Sequence, residues 1–430
     1  MQSPDQILVR LAYGDTGLDV LFPADRTTVV APSFRVGVPD PRQELARALR
    51  DPVAGPPLRA RVRRGQAVAI AICDVTRPQP RQQMVEAILA ELDGVAALQD
   101  IVILVATGTH RGNTDAEIRA MLGEEIPRTI RVVNHDARDH TTLTWCGRFG
   151  EDVPVWLNSE WVDADVRIAT GFVEPHFFAG FSGGPKLAAP GLAALETVLE
   201  LHNAHRIGHP MARWGVCEGN PVHDDVRAIA AGTGVHFSFD VILNSDKQIV
   251  QAFSGDLLAA HAAARAVSRV LSMRPVDDLF DIVVTTNSGY PLDQNLYQAV
   301  KGMSAAAEVV KPGGTIICAA ECRDGFPDHG SYREVLASAD SPQALLDAIT
   351  SRPETIPDQW QVQIQAKVQS KAWVGVHSSF LAPHDLRSAH FGPVPDISEL
   401  VAEQLAGLGP QARVCVLPEG PQTIPYLATR

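Results

Sequence analysis

The chain has 430 residues, of which 45% are hydrophobic and 20% are charged, as in a globular protein rather than a disordered one. Its formal net charge of −13 argues against a nucleic-acid-binding protein, which would normally carry a basic excess. The longest apolar runs are strand-sized and shorter than the ~20 residues of a membrane helix. Charged residues at Asp5, Arg10 and Asp15 interrupt any signal-peptide pattern. We therefore expect a soluble, cytoplasmic protein without nucleic-acid or membrane partners.

Strand-like apolar runs alternate with helical spacing along most of the chain, which is typical of an α/β protein. The predicted strands are, in chain order, residues 67–73, 101–106, 166–170, 281–286, 315–320 and 413–417. Helices are predicted at residues 82–92, 192–205, 257–271 and 294–310, with a capping box of Thr114 and Glu117 opening a short helix and a hairpin over residues 237–253.

The polar segment of residues 273–278 separates two periodic regions and indicates a domain boundary. We predict two α/β domains, an N-terminal one over residues 1–272 and a C-terminal one over residues 279–407. An alternative for residues 408–430 is that they return to the first domain. The cleft between two such domains is the default place for an active site.

The cysteines give little indication of function, whereas the histidines cluster. Six cysteines are scattered without a CxxC pair, so we expect reduced thiols rather than a disulfide framework. Five of the 14 histidines fall between His176 and His223, and this stretch is where we expect chemistry.

Two candidate sites follow buried strands, where ligands of open α/β sheets collect. After the first strand, Arg77 offers a planar fork to a carboxylate or phosphate, and Asp74 can orient it. The alternative is a local ion pair that caps the next helix. After the second strand, the sequence Ala-Thr-Gly-Thr-His ends at His110, which can transfer a proton near neutral pH or be merely structural.

The third candidate is the glycine-rich loop of residues 171–186. It combines His176, Ser182 and Lys186 with several glycines, which allow positive φ and close backbone approach. A lysine at the end of such a loop can bind an anion or form a covalent link through its amine. The alternative is a surface turn with a solvated lysine.

The fourth candidate is His202, followed by His205 and His209. On one helix, His202 and His205 would share a face and provide two ligands to a metal. The segment lacks the HExxH pattern of a metalloprotease, because Asn203 stands where its glutamate would be. Structural histidines on a helix surface are the alternative.

The fifth candidate lies in residues 287–302, where Asp293 is the predicted N-cap of a helix. Tyr297, Gln298 and Lys301 then project from neighbouring positions of that helix. An ordinary amphipathic helix is the alternative. Trp360 is the last aromatic residue that we place near a site.

The order of these motifs, from about residue 74 to about residue 361, resembles the nickel-pincer lactate racemase family, also described as 2-hydroxyacid racemases and epimerases. The most specific pieces are GFVEPHFFAGFSGGPK, residues 171–186, and GYPLDQNLYQAVKG, residues 289–302. One departure is Pro185, where we expect a basic residue before the lysine in many relatives.

The resemblance implies a nickel-pincer nucleotide cofactor, in which nickel is bound to pyridinium-3-thioamide-5-thiocarboxylic acid mononucleotide. It implies that Lys186 is the covalent anchor and that His202 is the metal ligand. His110 and His176 match the two proton-transfer histidines, and Arg77 and Lys301 match the residues that bind the substrate carboxylate. The remaining pocket positions that match are Asp74, Tyr297, Gln298 and Trp360.

The implied reaction is racemisation of a small 2-hydroxyacid, lactate by default, by reversible hydride transfer through a 2-keto acid. Two histidines on opposite sides suit a reaction that runs both ways, and a soft sulfur set with one imidazole suits nickel. The implied partners are the substrate and separate cofactor maturation enzymes. Malate or another 2-hydroxyacid would need only a changed pocket wall, and Arg323 could favour a diacid.

Other classes remain open. An NAD-dependent 2-hydroxyacid dehydrogenase should show GxGxxG after a strand, and the sequence has no such fingerprint. A zinc hydrolase built on His202 and His205 would lack a third ligand at convincing spacing. A non-enzymatic protein that binds a sugar or an anion is a remote third possibility.

Overall fold

The computed structural model describes residues 6–33, 35–327 and 330–428. They form two compact units. The central unit contains the described residues of 34–202 and 209–271. The terminal unit contains the described residues of 1–33, 203–208 and 272–430.

The strands are, in chain order, β1 (Gln6–Leu11), β2 (Leu18–Pro23), β3 (Thr27–Val29), β4 (Val68–Cys73), β5 (Ile101–Ala106), β6 (Arg131–Asn134), β7 (Leu143–Phe149), β8 (Val153–Asn158), β9 (Val166–Phe172), β10 (Pro175–His176), β11 (Gly180–Phe181), β12 (Phe237–Leu243), β13 (Ile249–Gly255), β14 (Met273–Val276), β15 (Phe280–Thr286), β16 (Val310–Ala319), β17 (Trp373–His377), β18 (Gly392–Pro393), β19 (Val414–Leu417) and β20 (Ile424–Leu427).

The α-helices are α1 (Pro41–Arg50), α2 (Leu58–Arg61), α3 (Arg81–Leu92), α4 (Asp115–Leu122), α5 (Glu125–Thr129), α6 (Ser159–Asp163), α7 (Leu195–Leu201), α8 (Ala204–Gly208), α9 (Pro221–Gly232), α10 (Leu257–Ser272), α11 (Leu296–Ala306), α12 (Tyr332–Leu336), α13 (Pro342–Ser351), α14 (Gln359–Lys371), α15 (Pro383–Ser388) and α16 (Ile397–Leu408). None of these helices has both the length and the apolar character needed to span a membrane.

The central unit is built on a six-stranded sheet in the order β13-β12-β9-β4-β5-β6. The pairs from β12 to β6 are parallel, and β13 is antiparallel to β12. Every residue of β4 is buried, as expected for a parallel strand covered on both faces. Because the strands run in one direction, the residues after β4, β5, β9 and β12 reach the same edge of the sheet.

The terminal unit has its own six-stranded parallel sheet, in the order β18-β17-β16-β15-β19-β3. Its core includes Phe22 from β2, Ile282 from β15 and Val416 from β19, all fully buried. The strand β15 leads toward α11, the helix that carries the fifth group of candidates.

The unit boundaries differ from those that the sequence predicts. Strand β3 pairs with β19, and β19 pairs with β15, so the beginning and end of the chain extend one sheet. Residues 6–33 and 408–428 therefore belong to the terminal unit rather than to the domain predicted over residues 1–272. The predicted linker at 273–278 contains β14, which pairs with β20.

Several local predictions are confirmed and two need correction. The hairpin of β12 and β13 forms, and Thr114 and Glu117 make a complete capping box. The helix predicted over residues 192–205 instead ends early, because His202 is the C-cap of α7 with non-helical φ and ψ of −109° and 18°. The N-cap of α11 is Asn295 rather than Asp293, whose carboxylate accepts backbone N–H groups elsewhere.

Candidate active site

The ends of the adjacent strands β4 and β5 bring Asp74 and His110 together. Oδ2 of Asp74 lies 2.8 Å from Nδ1 of His110. Burial raises the pKa of Asp74, but the hydrogen bond from His110 and the nearby Arg77 charge outweigh it and leave this pKa below its ordinary value. An ionised carboxylate only accepts, so Nδ1 of His110 donates, and the lone pair of the neutral ring lies on Nε2.

The turn that carries Asp74 and Arg77 is braced by a second arginine. The buried Arg81 donates from Nε to the carbonyl of Cys73 at 2.7 Å, and its guanidinium also bonds to the carbonyls of Asp74 and Arg77. The side chain of Arg77 is exposed, while the Asp74 carboxylate bonds to His110 and Thr76. Arg77 therefore acts on Asp74 through its charge, which lowers the pKa of the carboxyl group, rather than through the predicted pairing of the two side chains.

The ring of Phe178 is the common neighbour of three predicted site residues in the central unit. It packs edge-on against His176, with ring centroids 4.6 Å apart, and against His202, with centroids 5.2 Å apart. The ammonium nitrogen of Lys186 lies 5.6 Å from its centroid. The loop after β9 and the end of α7 thus converge on one centre, as their sequence order alone does not show.

Lys186 sits in a 3-10 turn over Gly184–Leu187 that is preceded by Gly183 with φ of +75°. Pro185 occupies the beginning of this turn, where a missing N–H costs nothing and the fixed φ suits the helix. The departure from the family pattern at residue 185 therefore has a local structural reason. Lys186 itself is partly exposed.

His202 has the protonation state that a metal ligand needs. Burial, aided by the positive charge of Lys186, lowers its pKa to about 4. Its Nδ1 donates to the carbonyl of Val198 at 2.7 Å, so the neutral ring has its lone pair on Nε2. One oriented, neutral imidazole beside a lysine would fit a metal whose other ligands belong to a group attached to that lysine.

The predicted sharing of a helix face by His202 and His205 does not occur. Because α7 stops at His202, His205 lies in the separate helix α8, where it is exposed. His209 follows α8, and its Nδ1 accepts from the N–H of Met211. Within the described part of the chain, no group of three His, Cys, Asp or Glu side chains is arranged to hold a metal ion. A zinc site built on these histidines therefore lacks ligands there.

In the terminal unit, the candidates of α11 lie on one stretch of helix. Nζ of Lys301 donates to Oε1 of Gln298 at 2.6 Å, and the Tyr297 ring packs edge-on against the buried Tyr332. Trp360, 8% exposed, belongs to α14, which packs against α11. These four predicted residues are thus grouped by two packed helices.

Arg323 is already bound within the terminal unit. Its guanidinium bonds to Glu321 and Asp15 and lies 4.1 Å from the ring centroid of Tyr290. Two carboxylates therefore compensate its charge, and it offers little to the second carboxylate of a diacid.

Sequence reasoning missed two buried charged residues next to the site, Arg81 and Asp240. Asp240 is fully buried in β12, and burial raises its pKa to about 6, against the hydrogen bonds from Gly184 and Ser238. The sequence signal that could have identified Asp240 is a single aspartate in the otherwise uncharged strand FSFDVIL. Arg81 could have been noticed as the second arginine of the segment that begins with Asp74.

Family models match both halves of the chain. The model described as the lactate racemase N-terminal domain matches residues 13–215, and the one described as the lactate racemase C-terminal domain matches residues 277–424. Together these matches cover most of the sequence.

Two individual relatives and one solved structure also match the chain over most of its length. The lactate racemase of Thermoanaerobacterium thermosaccharolyticum is 34% identical over 97% of this chain and 98% of its own length. That of Lactiplantibacillus plantarum is 36% identical over 88% of this chain and 89% of its own. The solved lactate racemase apoprotein from T. thermosaccharolyticum matches with a TM-score of 0.91 and 32% identity, covering 97% of this chain and 100% of that one. The chain belongs to the lactate racemase family.

Proposed function

We propose that the protein racemises lactate by reversible hydride transfer through a 2-keto acid, with a nickel-pincer nucleotide as cofactor. As a lactate racemase family member the chain is an enzyme of the isomerase class. The observation that carries the mechanism is the convergence of His176, Lys186 and His202 on Phe178. This convergence supports the proposal because it brings an imidazole for proton transfer, an amine for attachment and a neutral imidazole for the metal to the same aromatic ring.

Lys186 and His202 are the residues that would hold the cofactor. The amine of Lys186 would form the covalent link, and Nε2 of His202 would bind the nickel. When bound, the cofactor supplies a reversible acceptor for the hydride of the substrate carbon. We further assign cofactor contacts to Asp74, Tyr297, Gln298 and Trp360.

His110 and His176 would handle the proton of the substrate hydroxyl. A neutral imidazole takes this proton as the carbon is oxidised, and a protonated one returns it when the carbon is reduced. The contact with Asp74 fixes the ring of His110 in the tautomer whose Nε2 accepts. For the opposite direction the two histidines exchange roles.

Arg77 and Lys301 would bind the substrate carboxylate. Arg77 has an exposed guanidinium on a turn that Arg81 stiffens, and its planar fork matches a carboxylate. Lys301 adds a second positive charge, oriented by Gln298. With its carboxylate held, the 2-keto acid would present its other face to the returning hydride, and the configuration of the carbon would invert.

Malate or another small 2-hydroxyacid is the alternative substrate, and an NAD-dependent dehydrogenase of 2-hydroxyacids is a more remote alternative. The proposed partners are the hydroxyacid and the maturation enzymes that make the cofactor, and the proposed location is the cytoplasm. The paired state of Arg323 favours a monoacid over a diacid.

The test is to produce the chain together with cofactor maturation enzymes and to assay pure L- and D-enantiomers of lactate, malate and other 2-hydroxyacids. We expect conversion of either lactate enantiomer to the same mixture without added NAD, and a protein mass above the sequence mass with one nickel per chain. Activity that requires added NAD, or an unmodified mass with full activity, would contradict the proposal.

A further inference from the structure

A buried carboxylate bonds to the turn that presents Lys186. Asp240, at 0% exposure in β12, accepts the N–H of Gly184 at 3.0 Å through one oxygen and the hydroxyl of Ser238 at 2.7 Å through the other. Burying a carboxylate costs free energy of folding unless hydrogen bonds stabilise it. A carboxylate buried beneath a loop therefore indicates a structural role. Gly184 is only two residues before Lys186.

Two buried histidines bond to the same loop from two other elements. Nε2 of His261, on α10, donates to the carbonyl of Ser182 at 2.9 Å. Nδ1 of His223, on α9, donates to the carbonyl of Ala179 at 3.2 Å. The two rings are stacked, with centroids 5.9 Å apart and planes 22° from parallel. Three elements of the central unit thus bind the backbone between residues 179 and 184.

The pair of glycines before Pro185 fits against these side chains. A Cβ at Gly183 would lie 2.8 Å from Oδ1 of Asp240, and one at Gly184 would lie 2.7 Å from Cγ of His261. Both glycines have positive φ, +75° and +49°. Only glycine allows this backbone to approach the carboxylate and the imidazole so closely.

We propose that Asp240, His261 and His223 form a clamp that positions Lys186 for attachment of the cofactor. They are positioning residues: they fix the backbone of residues 179–184, and the next turn then presents the lysine amine at Phe178. The role of Lys186 in this inference rests on the proposed function. Without the clamp, the loop would sample other conformations and the amine would be misplaced for most of the time.

The test compares substitutions that remove a hydrogen bond with substitutions that keep it. Asp240→Leu removes both acceptors, whereas Asp240→Asn keeps a carbonyl oxygen for Gly184. His261→Phe removes the donor to Ser182, whereas His261→Gln keeps an N–H at a similar distance from Cβ. The measured quantity is the fraction of chains that carry the cofactor attached to Lys186, called the Lys186 adduct. We expect this fraction to fall by about tenfold or more in the Leu and Phe variants and to stay within about twofold of wild type in the Asn and Gln variants.

Hydrogen exchange of the loop amides gives a readout that does not need the cofactor. In the wild-type chain the Gly184 amide should exchange at least about a hundredfold more slowly than a solvated loop amide, because its N–H is bonded in the interior. The Leu and Phe variants should speed exchange in residues 179–187 without speeding it in the sheet. Because this wild-type measurement can contradict the clamp by itself, the inference stays testable even if a variant fails to fold.

The outcomes separate the clamp from the proposed function. An unprotected Gly184 amide in the wild type, or equal adduct yield in the Leu and Asn variants, would overturn the clamp. A wild-type chain that never acquires the covalently attached cofactor would overturn the proposed function. In that case, a difference in hydrogen exchange of the loop amides between the Asp240→Leu and Asp240→Asn variants would still support the effect of the clamp on the loop.

Discussion

The Nδ1 atom of His110 lies 2.8 Å from Oδ2 of Asp74, and the carboxylate is 4% exposed while the imidazole is 48% exposed. A buried acceptor thus orients a half-exposed imidazole ring. The same division of roles orients the histidine of a serine protease triad.

Asp74→Asn should therefore lower kcat by ~10²- to 10⁴-fold, because the amide can donate to Nδ1 and favour the wrong tautomer. Thr76→Val is the matched control, since it removes only the hydroxyl that bonds to Oδ1 of Asp74. Steady-state kinetics over pH in both directions would measure the effect. An Asp74→Asn enzyme with the wild-type kcat would show that this contact does not orient a catalytic ring.

Lys186→Ala should abolish racemisation and leave the chain at its sequence mass, because no amine remains for attachment. Lys186→Arg is the matched variant, since it keeps the charge near Phe178 but not the amine. Intact-protein mass spectrometry distinguishes the outcomes directly. An adduct on the Lys186→Ala chain would move the anchor to another residue.

His202→Ala should lose nickel, whereas His205→Ala and His209→Ala should largely keep it. The reason is that His202 is neutral, buried and close to Lys186, while His205 is exposed on a different helix. Nickel per chain, measured by elemental analysis after desalting, is the readout. Stoichiometric nickel in the His202→Ala protein would assign the ligand elsewhere.

Replacing either His110 or His176 by alanine should suppress racemisation in both directions by ~10²- to 10⁴-fold, because the reverse reaction uses the same pair with exchanged roles. Binding of a 2-keto acid should persist, because Arg77 and Lys301 remain. Kinetics from each enantiomer and a binding titration with pyruvate would check this. Near wild-type turnover by His176→Ala would require a different proton carrier.

Stability should fall as the pH drops below about 6.5. Burial lowers the pKa of His223 to about 4 and that of His261 to about 3, from an ordinary value of 6.5. In that window the unfolded chain binds protons that the folded chain does not, at a cost of about 1.4 kcal/mol per pH unit for each histidine. Asp240, whose pKa burial raises to about 6 from 3.8, acts in the opposite direction and offsets part of this loss.

Urea unfolding at pH 7 and pH 5 measures this dependence. The His261→Gln chain should lose less of its free energy of unfolding than wild type over the same interval, because it lacks one of the histidines whose pKa burial lowers. Equal pH dependence in the two proteins would mean that His261 does not stay neutral in the fold.

Sequence patterns led us to propose Asp74, Arg77 and His110 as site residues because they follow buried strands, and strand ends meet at one edge of a parallel sheet. The clustering of His176, Lys186 and His202 around Phe178 depends on side-chain packing across the loop, which spacing does not encode. Arg81 and Asp240 were missed because they bond to the backbone, and the signals they leave, a second arginine and a lone aspartate, form no motif.

Some local predictions failed because tertiary contacts decide them. Asp and Asn are both favoured at the N-cap position of a helix. Asn295 occupies this position, because Asp293 accepts hydrogen bonds from the N–H groups of Gly14 and Glu321. No glycine or proline stands at the end of α7, so the sequence does not predict that this helix ends before His202. The pairing of β3 with β19 joins residues from opposite ends of the sequence, which no local pattern predicts.

The most direct test of the central claim follows the hydrogen on the substrate carbon. L-lactate deuterated at that carbon would be converted by the loaded enzyme in ordinary water, and the D-lactate formed would be analysed by mass spectrometry. Hydride transfer, with the histidines moving only the hydroxyl proton, predicts that the D-lactate keeps its deuterium. D-lactate that has exchanged its deuterium for solvent hydrogen would show direct deprotonation of the carbon and contradict the account.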